Sequence, residues 1–186
     1  MTRRAQEATL KLWIFRSPDR DRDPWNTFRQ RSYNQWHFVK SYYTTTRYCA
    51  RKAARSPRST IKLRQLLDDM AETMYHSQIG AGLAAPQVGI LKRLVVIDMG
   101  DGLIKLVNPE IVEAEGEQEV IEGCLSFPNR WGKLKRPYRV KVSALNEKGE
   151  PVTFHVAGEK AKCFCHEVDH LDGILFVDKV TEFVEL

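Results

Sequence analysis

The chain has 186 residues, of which 42% are hydrophobic and 28% charged, a composition that is ordinary for a globular protein with one core. No run of about 18 apolar residues occurs and the N-terminal positions lack the apolar stretch of a secretory signal, so the sequence predicts an intracellular protein without a membrane span. The net charge of +5 is uneven, because residues 1–60 hold 14 Lys and Arg against 4 Asp and Glu, whereas residues 61–186 hold 15 against 20.

The basic segment 1–60 has three interpretations from charge alone. It could bind nucleic acid or an anionic membrane, it could be an organelle-targeting segment, or it could be a disordered extension. Between Asp23 and Asp68 there is no acidic residue. No recognition motif accompanies the charge, so the sequence favours the extension and predicts no specific nucleic-acid contact.

The first regular pattern is a helix predicted at about 62–77. Apolar side chains recur there at helical spacing and are predicted to face the core, namely Leu63, Leu66, Leu67, Met70 and Met74. The stretch GAGLAAPQVG follows, and its small residues let the backbone come close to another group. It is predicted as a functional loop or a tight packing site.

Short strands are predicted next. RLVVIDM indicates a buried strand, LIKLVNP indicates another that ends at Asn108-Pro109, and a hairpin is predicted around residues 146–149. The last helix should span about 159–171 and end at Gly173. The predicted fold class is therefore α+β, with short antiparallel strands packed around a C-terminal helix.

The predicted C-terminal helix carries the pattern H-E-x-x-H. On a helix, positions four residues apart share one face, so His166 and His170 can point ring nitrogens at one cation. Glu167 can take a proton from water that such a cation has acidified. The helix is thus predicted to bind metal, and Asp169 and Asp172 either orient a ligand histidine or face water.

A catalytic metal site needs a third protein ligand besides two histidines. Downstream of Gly173 only acidic residues such as Glu182 and Glu185 are available. Upstream, Cys124 follows a glycine, although a single cysteine is more often an inert core residue. The chain has four cysteines, too few and too unevenly placed for a disulfide framework, namely Cys49, Cys124, Cys163 and Cys165.

Three motifs occur in the order of a known family. GAGLAAPQ (80–87), EGCLS (122–126) and HEVDHLDG (166–173) resemble the signature motifs of the peptide deformylases. The resemblance covers about residues 61–186. It implies a hydrolase of protein biosynthesis that removes the formyl group from the N-terminal formylmethionine of nascent polypeptides and releases formate.

The resemblance also implies roles for individual residues. Cys124, His166 and His170 would bind the metal with a water as fourth ligand, and Glu167 would act as general acid and base. The oxyanion donors would be the Gln87 side chain and the Leu125 backbone N–H. The residues implied to contact the substrate are Ala81, Gly82, Glu122 and Gly123, along an extended peptide, and Arg130, near the methionine pocket.

The resemblance further implies a cofactor and a location. One thiolate with two imidazoles suits zinc or ferrous iron, and the family implies Fe²⁺, with zinc, nickel or cobalt as replacements. The substrates would be N-formylmethionyl peptides met near the ribosome in the cytoplasm, or in an organelle if segment 1–60 is a transit peptide. The alternatives are a metallopeptidase and a non-catalytic module that binds metal or nucleic acid.

Two features depart from the family. Cys165 stands where a glutamine usually precedes the first ligand histidine, and it is predicted to be a small buried residue that leaves catalysis intact. Residues 1–60 lack the family's first strand and its P-V element. Without that strand the domain at 61–186 would expose a sheet edge and part of its core.

A frame error would explain the divergent N-terminus. Read one nucleotide back, the codons that can encode residues 35–61 permit a Met-Ala start, then the family pattern D-P-[LIV]-L-R, and later P-V. We therefore hypothesise that residues up to about 61 come from an upstream start joined to the domain by a one-base shift.

Overall fold

The computed structural model describes residues 46–56, 60–77 and 80–185, and predictions on residues 1–45 lie outside them. The fold is α+β, as predicted. The helices are α1 (Thr46–Cys49), α2 (Ile61–His76) and α3 (Glu159–Asp172). The strands are β1 (Gly82–Ala84), β2 (Leu94–Ile97), β3 (Ile104–Glu115), β4 (Gln118–Cys124), β5 (Phe127–Arg136), β6 (Arg139–Leu145), β7 (Pro151–Ala157) and β8 (Glu182–Val184). None of the helices in the described ranges is both long and apolar enough to cross a bilayer.

The strands form two antiparallel sheets. The larger sheet has the order β1-β2-β3-β6-β7, and the smaller one has the order β4-β5-β8. In β2, successive side chains point to opposite faces, so Val95 and Ile97 pack with α3 while Leu94 and Val96 pack with α2. The larger sheet therefore lies between the two long helices and has apolar core on both faces.

Helix α2 forms where its apolar spacing predicts. The hydroxyl of Thr60 accepts a hydrogen bond from the Leu63 N–H at 3.2 Å and caps the first turn. The predicted core face is buried, except that Leu66 is half-buried. The prediction of a helix at about 62–77 is confirmed.

Helix α3 also confirms its prediction. It ends at Asp172, and Gly173 follows in the left-handed conformation with φ of 75°. The backbone N–H of Gly173 contacts the carbonyls of Asp169 and His170, which satisfies the helix end. The buried face of α3 includes Phe164 and Leu171, so tertiary packing fixes the helix that carries H-E-x-x-H.

Two predictions on strands and loops need correction. Strand β3 does not end at Asn108-Pro109 but continues to Glu115. The strand is irregular at this point, because Asn108 has a positive φ of 54° and the pairing register with β6 shifts between Val107 and Glu110. The stretch GAGLAAPQVG is not simply a loop, since it contains β1 and a 3₁₀ helix at Ala85–Val88. Both pieces are buried, which agrees with the tight packing predicted for their small residues.

The hairpin of β6 and β7 closes around residues 146–149, as predicted. The hairpin of β4 and β5 was not predicted. Its register pairs Glu122 with Gly132, and β8 adds to the far side of β5. Strands β1 and β4 are therefore edge strands of their two sheets.

Residues 46–56 belong to the segment predicted to be atypical, yet they pack against the remainder of the described chain. Cys49 and Ala53 are buried. The Ala53 N–H donates to the Leu171 carbonyl at 2.8 Å, and the Arg93 N–H donates to the Ala54 carbonyl at 3.0 Å. The boundary near residue 61 and the frame error stay predictions.

Gly173, directly after α3, lies against the backbone of this segment. A Cβ at Gly173 would lie 3.0 Å from the Arg51 carbonyl carbon and 3.1 Å from that of Ala50. Gly173→Ala should therefore lower the free energy of unfolding by the cost of a left-handed alanine, about 1–2 kcal/mol, plus a clash. Gly89→Ala is the matched control, because Gly89 has φ of 80° and nothing within 4 Å of such a Cβ.

Urea denaturation of both variants would measure the difference. We expect Gly173→Ala to be the more destabilised of the two. Equal losses would show that residues 50–52 do not pack against the end of α3.

Candidate metal centre

Three potential ligands meet between α3 and the end of β4. The ligand atoms of Cys124, His166 and His170 all lie within 4.8 Å of one another. The Cys124 Sγ is 3.3 Å from His170 Nε2, and the two imidazole rings have centroids 4.9 Å apart at an interplanar angle of 80°. The structure thus brings together the three residues that the motifs predicted to bind the metal.

The donor set suits a divalent metal of intermediate softness. One sulfur and two imidazole nitrogens converge, which is the combination that zinc and ferrous iron accept. Two buried polar atoms nearby, His170 Nδ1 and Glu167 Oε2, have no hydrogen-bond partner among the described residues. Glu182, the downstream alternative, instead forms a surface ion pair with Lys133.

The hydrogen bond between His166 and Glu122 fixes the ring of His166. His166 Nδ1 lies 2.8 Å from Glu122 Oε2. Burial alone raises the pKa of Glu122, but hydrogen bonds from Arg136 and His166 outweigh burial and lower it to about 2. The ionised carboxylate only accepts, so Nδ1 carries the proton and the Nε2 lone pair is left for a cation.

Arg136 holds Glu122 in place from the other side. Its Nε donates to Glu122 Oε1 at 2.7 Å and its Nη2 donates to Glu122 Oε2 at 2.9 Å. The same guanidinium also pairs with Asp169, which Lys179 contacts at 2.6 Å. Since Arg136 and Glu122 are each only 3% exposed, this is a buried charge network.

This network corrects the expectation for the two aspartates of α3. Neither Asp169 nor Asp172 has a hydrogen bond to a ligand histidine within the described part of the chain. Asp169 pairs with Arg136, and Asp172 accepts from Arg93 at 2.6 Å. Glu122 takes the orienting role instead, which sequence reasoning did not assign to it.

Arg136 was missed as well, although a signal existed. Along β5, Gly132, Leu134 and Arg136 alternate on the buried face. Had β5 been predicted, the period of two would have pointed an arginine inward, where it needs an acidic partner.

Glu167 is buried beside the ligand histidines. Burial raises the pKa of its carboxyl group to about 7, with the neighbouring Glu122 charge adding to the rise and His166 opposing it. A carboxyl group with a pKa near neutrality can both accept and return a proton. The position and chemistry of Glu167 therefore suit a general acid and base.

The backbone of Gly82 packs directly on Glu167. A Cβ at this position would lie 2.5 Å from Glu167 Oε1 and 2.8 Å from its Cγ. Because Gly82 has no side chain, the Glu167 carboxylate fits beside β1.

Gly82→Ala should displace the Glu167 carboxylate and reduce turnover by about 10²-fold, the cost expected when a catalytic group is misplaced by about 1 Å. The measurements are the free energy of unfolding and kcat on a formylated peptide, the substrate that the three motifs imply. In a Glu167→Ala background the clash disappears, so the added alanine should cost less stability there than in the wild type. Equal costs in the two backgrounds would contradict the clash.

Gln87 lies in the 3₁₀ helix and is buried. Its Oε1 accepts from the Ala84 N–H at 2.8 Å, while its Nε2 faces Cys124 Sγ at 3.5 Å and Ser126 Oγ at 3.3 Å. Leu125 occupies the turn after Cys124, half-buried. Both predicted oxyanion donors are thus next to the ligand cluster.

Four of the residues predicted to contact a peptide lie at the two edge strands. Gly82 begins β1 and Ala81 directly precedes it, and Glu122 and Gly123 are in β4. Arg130 differs, because it is exposed on β5 with its guanidinium 5.9 Å from the Phe183 ring centroid. No described contact ties Arg130 to the ligand cluster.

The cysteines of α3 are buried. Cys165 is 3% exposed, as predicted for a small buried residue, and burial raises the pKa of its thiol to about 11. Burial likewise raises the pKa of the Cys163 thiol. Both thiols therefore stay protonated and are poor ligands or nucleophiles at neutral pH.

Sequence comparison decides the family. Residues 44–185 match the profile of the family described as "Polypeptide deformylase". The chain belongs to the polypeptide deformylase family. Peptide deformylase 2 of Clostridium acetobutylicum is 64% identical over 124 residues, which cover 67% of this chain and 83% of that protein. A peptide deformylase of Acetivibrio thermocellus is 62% identical over 124 residues, covering 67% and 72%.

Solved structures agree with this family. A peptide deformylase from Thermotoga maritima superposes with a TM-score of 0.72 at 38% identity, covering 75% of this deformylase-family chain and 95% of the other. One from Synechococcus elongatus, in complex with actinonin, gives a TM-score of 0.70 at 42% identity, covering 74% and 78%. Family membership confirms the resemblance carried by the three motifs.

Proposed function

We propose that this chain is a metal-dependent hydrolase that removes the formyl group from the N-terminal formylmethionine of polypeptides and releases formate. Family membership supports the reaction. The observation that carries the proposal is the meeting of Cys124, His166 and His170 beside the buried carboxyl group of Glu167. Neither a metallopeptidase nor a non-catalytic binding module is favoured by the family.

The metal would be held by Cys124 Sγ, His166 Nε2 and one nitrogen of His170. A divalent cation bound there would supply Lewis-acid chemistry, which acidifies water and stabilises negative charge on a carbonyl oxygen. We propose Fe²⁺ as the natural metal, which the resemblance to the deformylases implies. Zinc, nickel or cobalt would be functional replacements, because one sulfur with two imidazoles accepts each of them.

Glu167 would move the protons. Because its pKa lies near 7, the carboxylate can take a proton from the attacking water and pass it to the departing amine. Gln87 and the Leu125 N–H would stabilise the oxyanion that forms as water adds to the carbonyl carbon. Burial strengthens each of these interactions, since water screens them little.

The peptide would add a strand between the two sheets. Strands β1 and β4 are both sheet edges, so their backbone groups can pair with an extended chain. Main-chain hydrogen bonds do not depend on side chains, which would allow many sequences after the methionine. We assign Ala81, Gly82, Glu122 and Gly123 to this contact, and Arg130 to the methionine end.

The setting of the enzyme is also proposed. We infer action in the cytoplasm on nascent chains near the ribosome, which cosedimentation with ribosomes would test. The segment up to about residue 61 is proposed to arise from a frame error. The test is to resequence the gene on both strands. An uninterrupted reading frame through codons 35–62 would contradict the frame error.

The test is formate release from formyl-Met-Ala by protein purified without oxygen, with metal content measured on the same sample. Unformylated casein serves as the second substrate. Formate release without casein cleavage supports the proposal. Cleavage of casein without formate release would identify a peptidase instead.

A further inference from the structure

Ser126 contacts three other residues beside the ligand cluster through its hydroxyl and its backbone N–H. Ser126 is 8% exposed, and its Oγ lies 3.3 Å from Gln87 Nε2 and 3.7 Å from Cys49 Sγ. Its backbone N–H donates to Cys124 Sγ at 3.4 Å. The motifs assign roles to Cys124 and Leu125 but none to the serine that follows them.

The amide of Gln87 has one orientation because both ends are specified. The Ala84 N–H needs an acceptor, so Oε1 must face it. In a flipped amide, Nε2 would face the Ala84 N–H, and two donors would oppose each other. Nε2 then faces the Ser126 hydroxyl and the Cys124 sulfur, both of which accept. The backbone fixes one end of the amide and a side chain fixes the other.

A donor that stabilises an oxyanion must be aimed before charge develops, since reorientation during the reaction costs free energy. The amide nitrogen of Gln87 carries two hydrogens. If Ser126 Oγ accepts one, rotation about the last side-chain bond is fixed, and the other hydrogen points toward the Cys124 side of the cluster. Without the hydroxyl, only the bond from the Ala84 N–H and the longer contact with Cys124 Sγ orient the group.

We propose that Ser126 is a positioning residue that aims the Gln87 amide at the substrate oxygen. It acts through Gln87 and does not itself touch the reacting atoms. The inference rests on the proposed function for its kinetic consequence, whereas the contact between the two side chains can be tested without turnover.

The kinetic test is a double-mutant cycle with formyl-Met-Ala. Ser126→Ala should lower kcat about 5- to 10-fold, the size of one lost hydrogen bond, with KM and metal content unchanged. Gln87→Ala should lower kcat about 10²-fold. Adding Ser126→Ala to Gln87→Ala should then cost less than about twofold more, because the group that Ser126 aims is gone.

Ser56→Ala is the matched control. Ser56 is as buried as Ser126, at 6% exposure, but its hydroxyl has no partner among the described residues. It should retain the wild-type kcat. Effects of Ser126→Ala and Gln87→Ala that multiply in the double variant would overturn the proposal.

The contact itself is tested by nuclear magnetic resonance of the zinc-loaded protein. The side-chain amide signals of Gln87 are assigned by their loss in Gln87→Ala. In Ser126→Ala they should shift, and their hydrogens should exchange faster with water. Unchanged signals would overturn the proposal even in an active enzyme, while a wild type that releases no formate would overturn the proposed function and leave this test standing.

Discussion

Glu167→Gln is expected to reduce formate release by about 10²- to 10⁴-fold, the usual contribution of a positioned general acid and base. The amide keeps the shape of the carboxyl group but cannot accept and return a proton. Glu167 is buried, and burial raises its pKa to about 7, which suits a group that accepts and returns a proton. The substitution removes no potential metal ligand, so metal content should stay at the wild-type value.

The matched control is Glu159→Gln in the same helix. Glu159 is exposed and pairs with Lys162 in the first turn of α3. It should retain wild-type kcat and metal content. Wild-type turnover by Glu167→Gln, measured with equal metal loading, would show that another group moves the proton.

Arg136→Ala is expected to lower the free energy of unfolding by about 3–5 kcal/mol, as when one partner of a buried ion pair is removed. The change leaves Glu122 without its two hydrogen bonds from the guanidinium and Asp169 without its ion pair with it. It also frees Glu122 from the position in which it holds His166. Metal affinity should therefore fall by about 10- to 100-fold.

Lys135→Ala provides the comparison on the same strand. Lys135 forms a surface pair with Glu117, in which both side chains are more than half exposed. Solvent screens such a pair, so its removal should change stability by less than about 1 kcal/mol. The measurements are urea denaturation and metal titration. A loss in Arg136→Ala no larger than in Lys135→Ala would mean that the buried network does not stabilise the fold.

Local patterns made much of the fold predictable. Helices α2 and α3 were found because apolar periodicity and terminal residues act within a few positions of each other. The end of α3 at Gly173 follows from its left-handed conformation, which glycine adopts readily. The hairpin around residues 146–149 was likewise set by its own turn.

Contacts between distant residues were not predictable from local patterns. Arg136 meets Asp169 only because β5 packs against α3, and nothing near either residue in sequence indicates the pair. Glu122 was expected to offer its backbone to a peptide, yet its side chain turns inward to His166. The direction of a strand side chain depends on register, which the unpredicted hairpin of β4 and β5 determines.

The order of the three motifs predicted the ligand cluster, but it did not predict the detailed geometry around the cluster. Gly82 was nominated for a peptide contact, but the structure shows that its missing side chain also makes room for Glu167. The motifs assign no role to Ser126, and a serine in a turn has many local explanations. Only the distances to Gln87 and Cys49 single it out.

The central claim is that Cys124, His166 and His170 hold one divalent cation. Metal-free protein titrated with Co²⁺ under anaerobic conditions tests it most directly, because a cobalt–thiolate bond absorbs in the near ultraviolet. We expect about one Co²⁺ per chain, with an absorption band that Cys124→Ala abolishes and Cys163→Ala retains. A band that persists in Cys124→Ala, or that is lost only in Cys163→Ala, would contradict the account.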